Sequence, residues 1–348
     1  MKRLIAIALA AVMLLGLAAC GSINKTEVSV LWSGDGVVKI PNSLINAMER
    51  AMYIKSIAYS HYGASGDQAQ QTKQAEAVLN AGCAALAVEL VDPAAAQTIV
   101  DMAKAKDVPV VFFNCNVDAA VVSSYNKCVL INTNEDSLAQ VQGTMIAEAL
   151  YKEKKKKALF TCDRNEDGKI TYTGVGDVEA VVAVINAALK EKELPALEAV
   201  ADNDIDVLIS AFTEEAAPTE LIITDNDATA LEILQALQAK GYNKDRLTTH
   251  CIPLYTVGAD ADASAFADTE DMTQEDLAVF IYNALNLVDA GQLAGTAVED
   301  YDSIAIAVAT VLHNLLKGNE SMKNVAKIKD GITADGQTVR IPYTTYAD

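Results

Sequence analysis

Nine consecutive residues carry the sharpest chemistry in this chain: Asp163-Arg164-Asn165-Glu166-Asp167-Gly168-Lys169-Ile170-Thr171. Side-chain oxygens fall at loop positions 1, 3, 5 and 9, a glycine stands at 6, and an apolar anchor at 8. Calcium takes about six to eight hard oxygens, and this spacing wraps them around one point, with the carbonyl of position 7 adding another. Position 12, where such loops place a bidentate glutamate, is Gly174. The loop is therefore either a weak site or one completed by a distant carboxylate. A polar turn that binds nothing is the plain alternative. A dockerin-like module would need a second such loop, and only one occurs.

The elements that must hold this loop alternate along the chain. Short apolar runs at Val28–Trp32, Ser56–Tyr59, Ala84–Glu89, Val108–Phe113, Cys128–Asn132, Leu221–Thr224, Cys251–Val257 and Gly295–Val298 read as strands. Helical patterns lie between them: from about Pro41, then at Asp67–Ala81, Ala94–Lys106, Glu135–Tyr151, Asp227–Lys240, Gln274–Asp289 and Ile304–Leu316. Asp92-Pro93 supplies an N-cap followed by the favoured first-turn proline. Lys154–Lys157 is the solvated, basic end of a helix. Repeated strand–helix units imply parallel sheets covered on both faces. Some 320 residues of this pattern are long for one sheet, so two lobes are expected. Ligands of such sheets sit at the carboxyl ends of strands, so the residues just after each strand are the ones to inspect.

Composition narrows the function. The chain has 348 residues, 51% of them hydrophobic, enough to bury a large core. Its net charge of −20 argues against nucleic acid, whose binding rests on Lys and Arg facing phosphates. Three histidines leave little for a histidine-rich metal centre. No Walker-type loop, G-x-S-x-G elbow or H-E-x-x-H helix occurs, and Gly34-Asp35-Gly36 is a two-glycine turn, so no enzyme is expected.

The N-terminus reads as an address. Lys2 and Arg3 precede the apolar run Leu4–Leu17, and Leu17-Ala18-Ala19-Cys20 has the form of a bacterial lipobox. Residues 1–19 are read as a lipoprotein signal peptide, Cys20 as the lipidated first residue, and 20–26 as a tether. The expected location is the cell envelope, on the outer face of the cytoplasmic membrane or in the periplasm. The other five cysteines are irregularly spaced in apolar runs and read as buried thiols rather than a disulfide framework. Cys115 and Cys128 are the pair to check.

Ala84-Leu-Ala-Val-Glu-Leu-Val-Asp-Pro-Ala-Ala-Ala96, Asp107-Val-Pro-Val-Val-Phe-Phe-Asn114 and Thr338-Val-Arg-Ile-Pro-Tyr343, with the loop above, resemble the periplasmic galactose/glucose-binding proteins of bacterial ABC transporters and sugar chemotaxis. The resemblance spans about residues 27–348. It implies an α/β, two-lobed type I periplasmic-binding-protein fold, each lobe a three-layer α/β/α parallel sheet, with a three-strand hinge. One lobe would hold 24–133 plus 300–328 and the other 134–299 plus 329–348. It also implies calcium held by Asp163, Asn165, Asp167, the Lys169 carbonyl, Thr171 and a remote Glu220. Thr171 stands where the family has glutamine.

For the ligand, the resemblance implies Asn114, Asn226 and Asp260, each just past a strand. It adds Asp35 as candidate for the family's first acid, Asp177 from the segment after the calcium loop, and Glu299 where the family has asparagine. Asn114, Asn226 and Asp260 would each suit a helix cap equally well. The family's phenylalanine, histidine, arginine and stacking tryptophan are missing, since Trp32 lies within the first strand. Tyr172, Phe212 and Tyr301 are the aromatic alternatives. Losing a charged hydrogen-bond partner costs roughly 1.5–3 kcal/mol, so several losses would reshape or weaken hexose binding. The expected function is a solute-binding lipoprotein that closes on a galactose- or glucose-like sugar between its lobes and delivers it to an ABC permease. A chemoreceptor is a further expected partner, and the lipid anchor its contact with the membrane. The alternative is a sensory or structural lipoprotein that keeps the fold and calcium without binding hexoses tightly.

Overall fold

A computed structural model describes residues 27–34, 41–153, 157–160, 163–164, 170–171, 178–201, 221–224, 227–244, 251–258 and 284–347. The chain forms two compact units. One ends its first pass at Asn132 and resumes over Tyr301–Ile341; the other holds Thr133–Asp300 and Pro342–Asp348. The backbone thus passes from unit to unit three times.

In chain order the first pass runs β1 (Val28–Trp32), α1 (Asn42–Ile54), β2 (Tyr59–Gly63), α2 (Gln68–Ala81), β3 (Ala85–Val88), α3 (Ala96–Ala105), β4 (Val110–Phe113), α4 (Ala119–Ser123) and β5 (Cys128–Asn134). The second unit adds α5 (Leu138–Glu153), β6 (Lys157–Phe160), β7 (Asp163–Arg164), β8 (Ile170–Thr171), α6 (Val178–Glu191), β9 (Glu198–Ala201), β10 (Leu221–Ile223), α7 (Asp227–Ala239), β11 (Leu254–Val257), α8 (Ala284–Asp289) and β12 (Gly295–Val298). The chain returns for α9 (Tyr301–Leu316), β13 (Thr333–Asp335) and β14 (Thr338–Pro342), and closes with β15 (Thr344–Ala347).

The first unit's sheet has the order β13-β14-β5-β4-β3-β1-β2, parallel from β5 through β2. The apolar runs alternate their side chains between its faces. Val28, Val30, Ala85, Ala87, Val111, Phe113, Val129 and Ile131 join α1 and α9 on one face. Leu31, Leu86, Val88, Val110, Phe112, Cys128 and Leu130 join α2 and α3 on the other. Burial on both faces is why these strands read as continuous apolar runs. Asp67 caps α2 by accepting from the backbone of Ala69 and Gln70, at 2.8 and 3.2 Å. Asp92 accepts from Ala94 N at 2.9 Å, as an N-cap before proline should.

The second unit's sheet has the order β15-β12-β11-β10-β6-β9, with β15 antiparallel on its edge. Helices α5 and α6 pack with Leu221, Ile223 and Tyr255 on one side, and α7 and α8 with Ile222 and Leu254 on the other. Gly143 of α5 allows the close approach of α6: a Cβ there would stand 2.8 Å from Val184 Cβ. Each unit is thus a three-layer α/β/α sandwich, as expected.

Three expectations are corrected. The strand expected at Ser56–Tyr59 begins only at Tyr59. Ser56 takes a left-handed φ of 54°, and Ser56 N and Ile57 N donate to Tyr53 O and Met52 O, closing α1 first. Residues 329–341, expected in the second lobe, belong to the first unit. β13 and β14 extend its sheet, Val339 and Ile341 enter its core, and Gln337 Nε2 donates to Tyr125 O at 2.7 Å and to Cys128 O. Of the basic run, Lys157 begins β6 rather than ending a helix. Residues 154–156 lie outside the described residues, as do 1–26, with the expected signal peptide, Cys20 and tether.

Candidate functional site

Three parallel strands of the first unit end side by side, in the register Leu31↔Val88 and Val88↔Phe112. Sequence continuity then delivers Ser33, Glu89 and Asn114 to one edge. They meet there. Glu89 Oε2 accepts from Ser33 Oγ at 2.8 Å and from Ser33 N at 3.2 Å. Glu89 Oε1 accepts from Asn114 Nδ2 at 2.6 Å. Glu89 is only 5% exposed, while Ser33 and Asn114 are half-buried. The Glu89 backbone is itself held, since Gln71 Nε2 of α2 donates to Glu89 O at 2.8 Å. Asn114 has a left-handed φ of 50°, a conformation asparagine tolerates better than most residues.

Glu89 is not among the residues expected from sequence, although it stands in the Ala84–Ala96 stretch. The signal was available: it is the lone carboxylate closing an apolar strand, at a position the carboxyl-end rule singles out. Trp32 is 4% exposed and meets Phe113 edge-on, with ring centroids 5.2 Å apart. It is a core residue, as expected, and no ligand platform. Tyr301 opens α9 and packs on the first unit's core.

In the second unit, Glu299 follows β12 and accepts from the buried Thr133 Oγ1 at 2.6 Å. Its charge, after burial, helps push the Tyr343 phenol well above its ordinary range. Asn226, Asp260, Asp177 and Asp35 lie outside the described residues, as do Tyr172 and Phe212. Asn114 belongs to the first unit and Glu299 to the second.

The candidate calcium loop is described at its two ends. β7 and β8 form a short antiparallel ladder with Asp163↔Thr171 and Arg164↔Ile170. Loop positions 1 and 9 therefore stand opposite each other, as a turn wrapped around one cation requires. The donors of the loop are all oxygens, which suits calcium. Asn165, Asp167, Lys169 and Glu220 lie outside the described residues.

Cys83, Cys115 and Cys128 are free thiols. Register explains why the last two do not join. Cys128 stands beside Val110 at the start of β4, whereas Cys115 lies beyond its far end. Burial pushes Cys115 up to about 12, with Glu89's charge adding to it, and Cys128 to about 12. The thiolate is the nucleophile. At pH 8, iodoacetamide should therefore modify both roughly a thousandfold more slowly in the native protein than in urea. Peptide mapping after timed quenching reads this directly, and equal rates in both states would refute it.

Two open, largely parallel sheets, each flanked by helices and with polar groups gathered where strands end, define a ligand-binding α/β architecture. A family model described as a periplasmic binding protein domain matches residues 40–320, and the chain belongs to that family. A curated relative, the D-galactose/methyl-galactoside binding periplasmic protein MglB of Haemophilus influenzae, is 28% identical over 337 residues, covering 92% of this chain and 88% of its own. Two solved structures share the fold at a TM-score of 0.52. One is the periplasmic binding component of the arabinose ABC transporter from Shewanella sp. ANA-3, bound to L-arabinofuranose, at 14% identity with 92% of each chain covered. The other is an ABC transporter periplasmic solute-binding protein from Actinobacillus succinogenes with bound D-allose, at 15% identity, covering 92% of this chain and 96% of that one. Among the described residues no helix is long and apolar enough to cross a membrane.

Proposed function

We propose that this protein is the sugar-binding component of an ABC transporter, taking a galactose- or glucose-like solute outside the cytoplasm and handing it to the permease. The observation that carries this reading is Asn114, held by Glu89 at the carboxyl edge of the first sheet. It is a fixed, half-exposed amide of the kind that reads sugar hydroxyls. The galactoside-binding relative supports the same solute class. Asn226, Asp260, Asp177, Asp35 and Glu299 are the further candidate ligands. Binding and release require no bond-making step, so no catalytic residue is assigned.

Calcium is proposed as a structural cofactor. Asp163, Asn165, Asp167, the Lys169 carbonyl, Thr171 and Glu220 would hold it, and it would cross-link the loop to the start of β10. Cys20 is proposed as the lipid attachment that keeps the protein at the membrane face.

A thermal melt of the mature, calcium-loaded protein tests the solute. Galactose or glucose at 100 times its dissociation constant adds about 2.7 kcal/mol, a rise in Tm of about 5 °C for a protein of this size. A rise with either sugar supports the transport reading. No rise with any hexose would leave the fold in service of another solute or a sensory role.

A further inference from the structure

We propose that Glu89 is a positioning and specificity residue of the first unit's ligand site. It turns the Asn114 carbonyl oxygen toward the ligand as a hydroxyl acceptor, and its charge excludes anionic sugars. This rests on the sugar-binding reading above.

The orientation follows from hydrogen-bond chemistry. An ionised carboxylate only accepts. The atom of Asn114 that faces Glu89 at 2.6 Å must therefore be the nitrogen. An amide's oxygen and nitrogen are easily exchanged in assignment, but this partner permits one choice. Asn114 is left with its Oδ1 and one N–H to offer. Without Glu89, the amide could rotate and present either end to a hydroxyl, and the site would lose its polarity. The anchor is rigid. Ser33 gives Glu89 Oε2 two donors, Glu89 N donates to Leu31 O at 2.9 Å in the sheet ladder, and Gln71 holds its carbonyl.

The charge argument is separate. Among the described residues the ion pairs are Arg50–Asp302 and Lys127–Asp107, so no cation there pairs with Glu89. Its charge is stabilised by three dipolar donors in a buried position, with no countercharge among the described residues. Such a charge repels a second anion far more strongly than it would in water. A uronate or sugar phosphate placed against Asn114 would face it directly. A neutral polyol would not. Discrimination arises from repulsion as well as fit, and about a hundredfold preference for the neutral sugar is expected.

The experiment uses the full mature protein, calcium-loaded, with Glu89→Gln and Glu89→Ala variants. The first readout needs no ligand: the Asn114 side-chain amide pair in a ¹⁵N–¹H spectrum, identified by its loss in Asn114→Asp. It should move in Glu89→Ala and stay close to its native place in Glu89→Gln, whose carbonyl can still accept. The second is calorimetric titration with galactose and galacturonate. Glu89→Ala should weaken galactose at least tenfold. Glu89→Gln should hold galactose within about threefold while its preference over galacturonate falls at least tenfold.

An unmoved amide signal and unchanged galactose affinity in Glu89→Ala would overturn the positioning role. An unchanged galacturonate ratio in Glu89→Gln would overturn the charge role. If Glu89→Ala fails to fold, a Glu89→Gln protein with a displaced amide signal and the native galacturonate ratio overturns both. If the wild type binds neither of these sugars nor glucose, the hexose-transport reading fails instead, and the amide signal alone decides whether Glu89 orients Asn114.

Discussion

Replacing Asn243 by alanine should cost the second unit about 3–5 kcal/mol of stability, a large share of what a domain of this size has. Asn243 follows α7, is 1% exposed and has a left-handed φ of 47°. Its Oδ1 accepts from Ile252 N at 2.8 Å. Its Nδ2 donates to Ile252 O at 2.9 Å and to Gln292 O at 3.0 Å. One side chain therefore ties the end of α7 to the lead-in of β11 and to the loop before β12. Alanine would orphan three backbone groups, each costing about 1–3 kcal/mol where burial is full, and would strain a backbone that L-residues with a Cβ resist by roughly 1–2 kcal/mol. Partial water entry makes the total smaller than the sum. Urea denaturation of the two proteins, read by far-UV circular dichroism, gives the difference. Asn243→Gly separates the causes, since glycine removes the strain and should recover about 1 kcal/mol. A shift under 1 kcal/mol in the alanine variant would show that water or neighbouring groups replace the clamp.

Chelating calcium should have an effect of similar size. At 1 mM free calcium, a site with a dissociation constant of about 1 μM adds about 4 kcal/mol to the folded state, and EF-hand-type sensor sites span roughly tenfold either side of that value. EDTA should therefore lower Tm by several degrees, and calcium restored in excess should reverse it while magnesium at the same concentration does so poorly. The Asp163↔Thr171 pairing holds the ends of the loop by backbone hydrogen bonds, so the loss should be local to the second unit rather than a general collapse. Glu220→Gln is the decisive variant. It should reproduce the chelated Tm in the presence of calcium and no longer respond to EDTA. A calcium-sensitive wild type with an unaffected Glu220→Gln protein would mean that another carboxylate completes the shell. No response to EDTA in the wild type would mean the loop is a turn only.

The strands were legible because burial on both faces leaves an unbroken apolar run, as at Val110–Phe113, and few other elements write one. Helix starts at Asp67 and Asp92 were legible because a cap is a local device. Residues 329–341 were not, because their placement depends on a partner strand some 200 residues earlier, and nothing within Thr333–Asp335 or Thr338–Pro342 names β5. Asn114 was found through its place in a motif. Glu89 escaped because its role is made by three separate segments that only the register of β1, β3 and β4 brings together. In one dimension it is a carboxylate at the end of a strand, with no mark of what it holds.

The first unit is closed by residues made long after the rest of it. α9 supplies Ile304, Ala305, Val308 and Val311 to the face of the sheet formed by Val28, Val30, Ala85 and Val111, yet the 168 residues of the second unit's main segment, Thr133–Asp300, come first. At a synthesis rate of about 5–20 residues per second, that face waits about 10–30 s after β5 is made for its cover. During this time the nascent chain carries an apolar surface that α1 covers only in part. The order of the segments thus delays completion of the first unit until nearly the whole polypeptide exists, and keeps the chain in an unfinished, threadable state while it is being made.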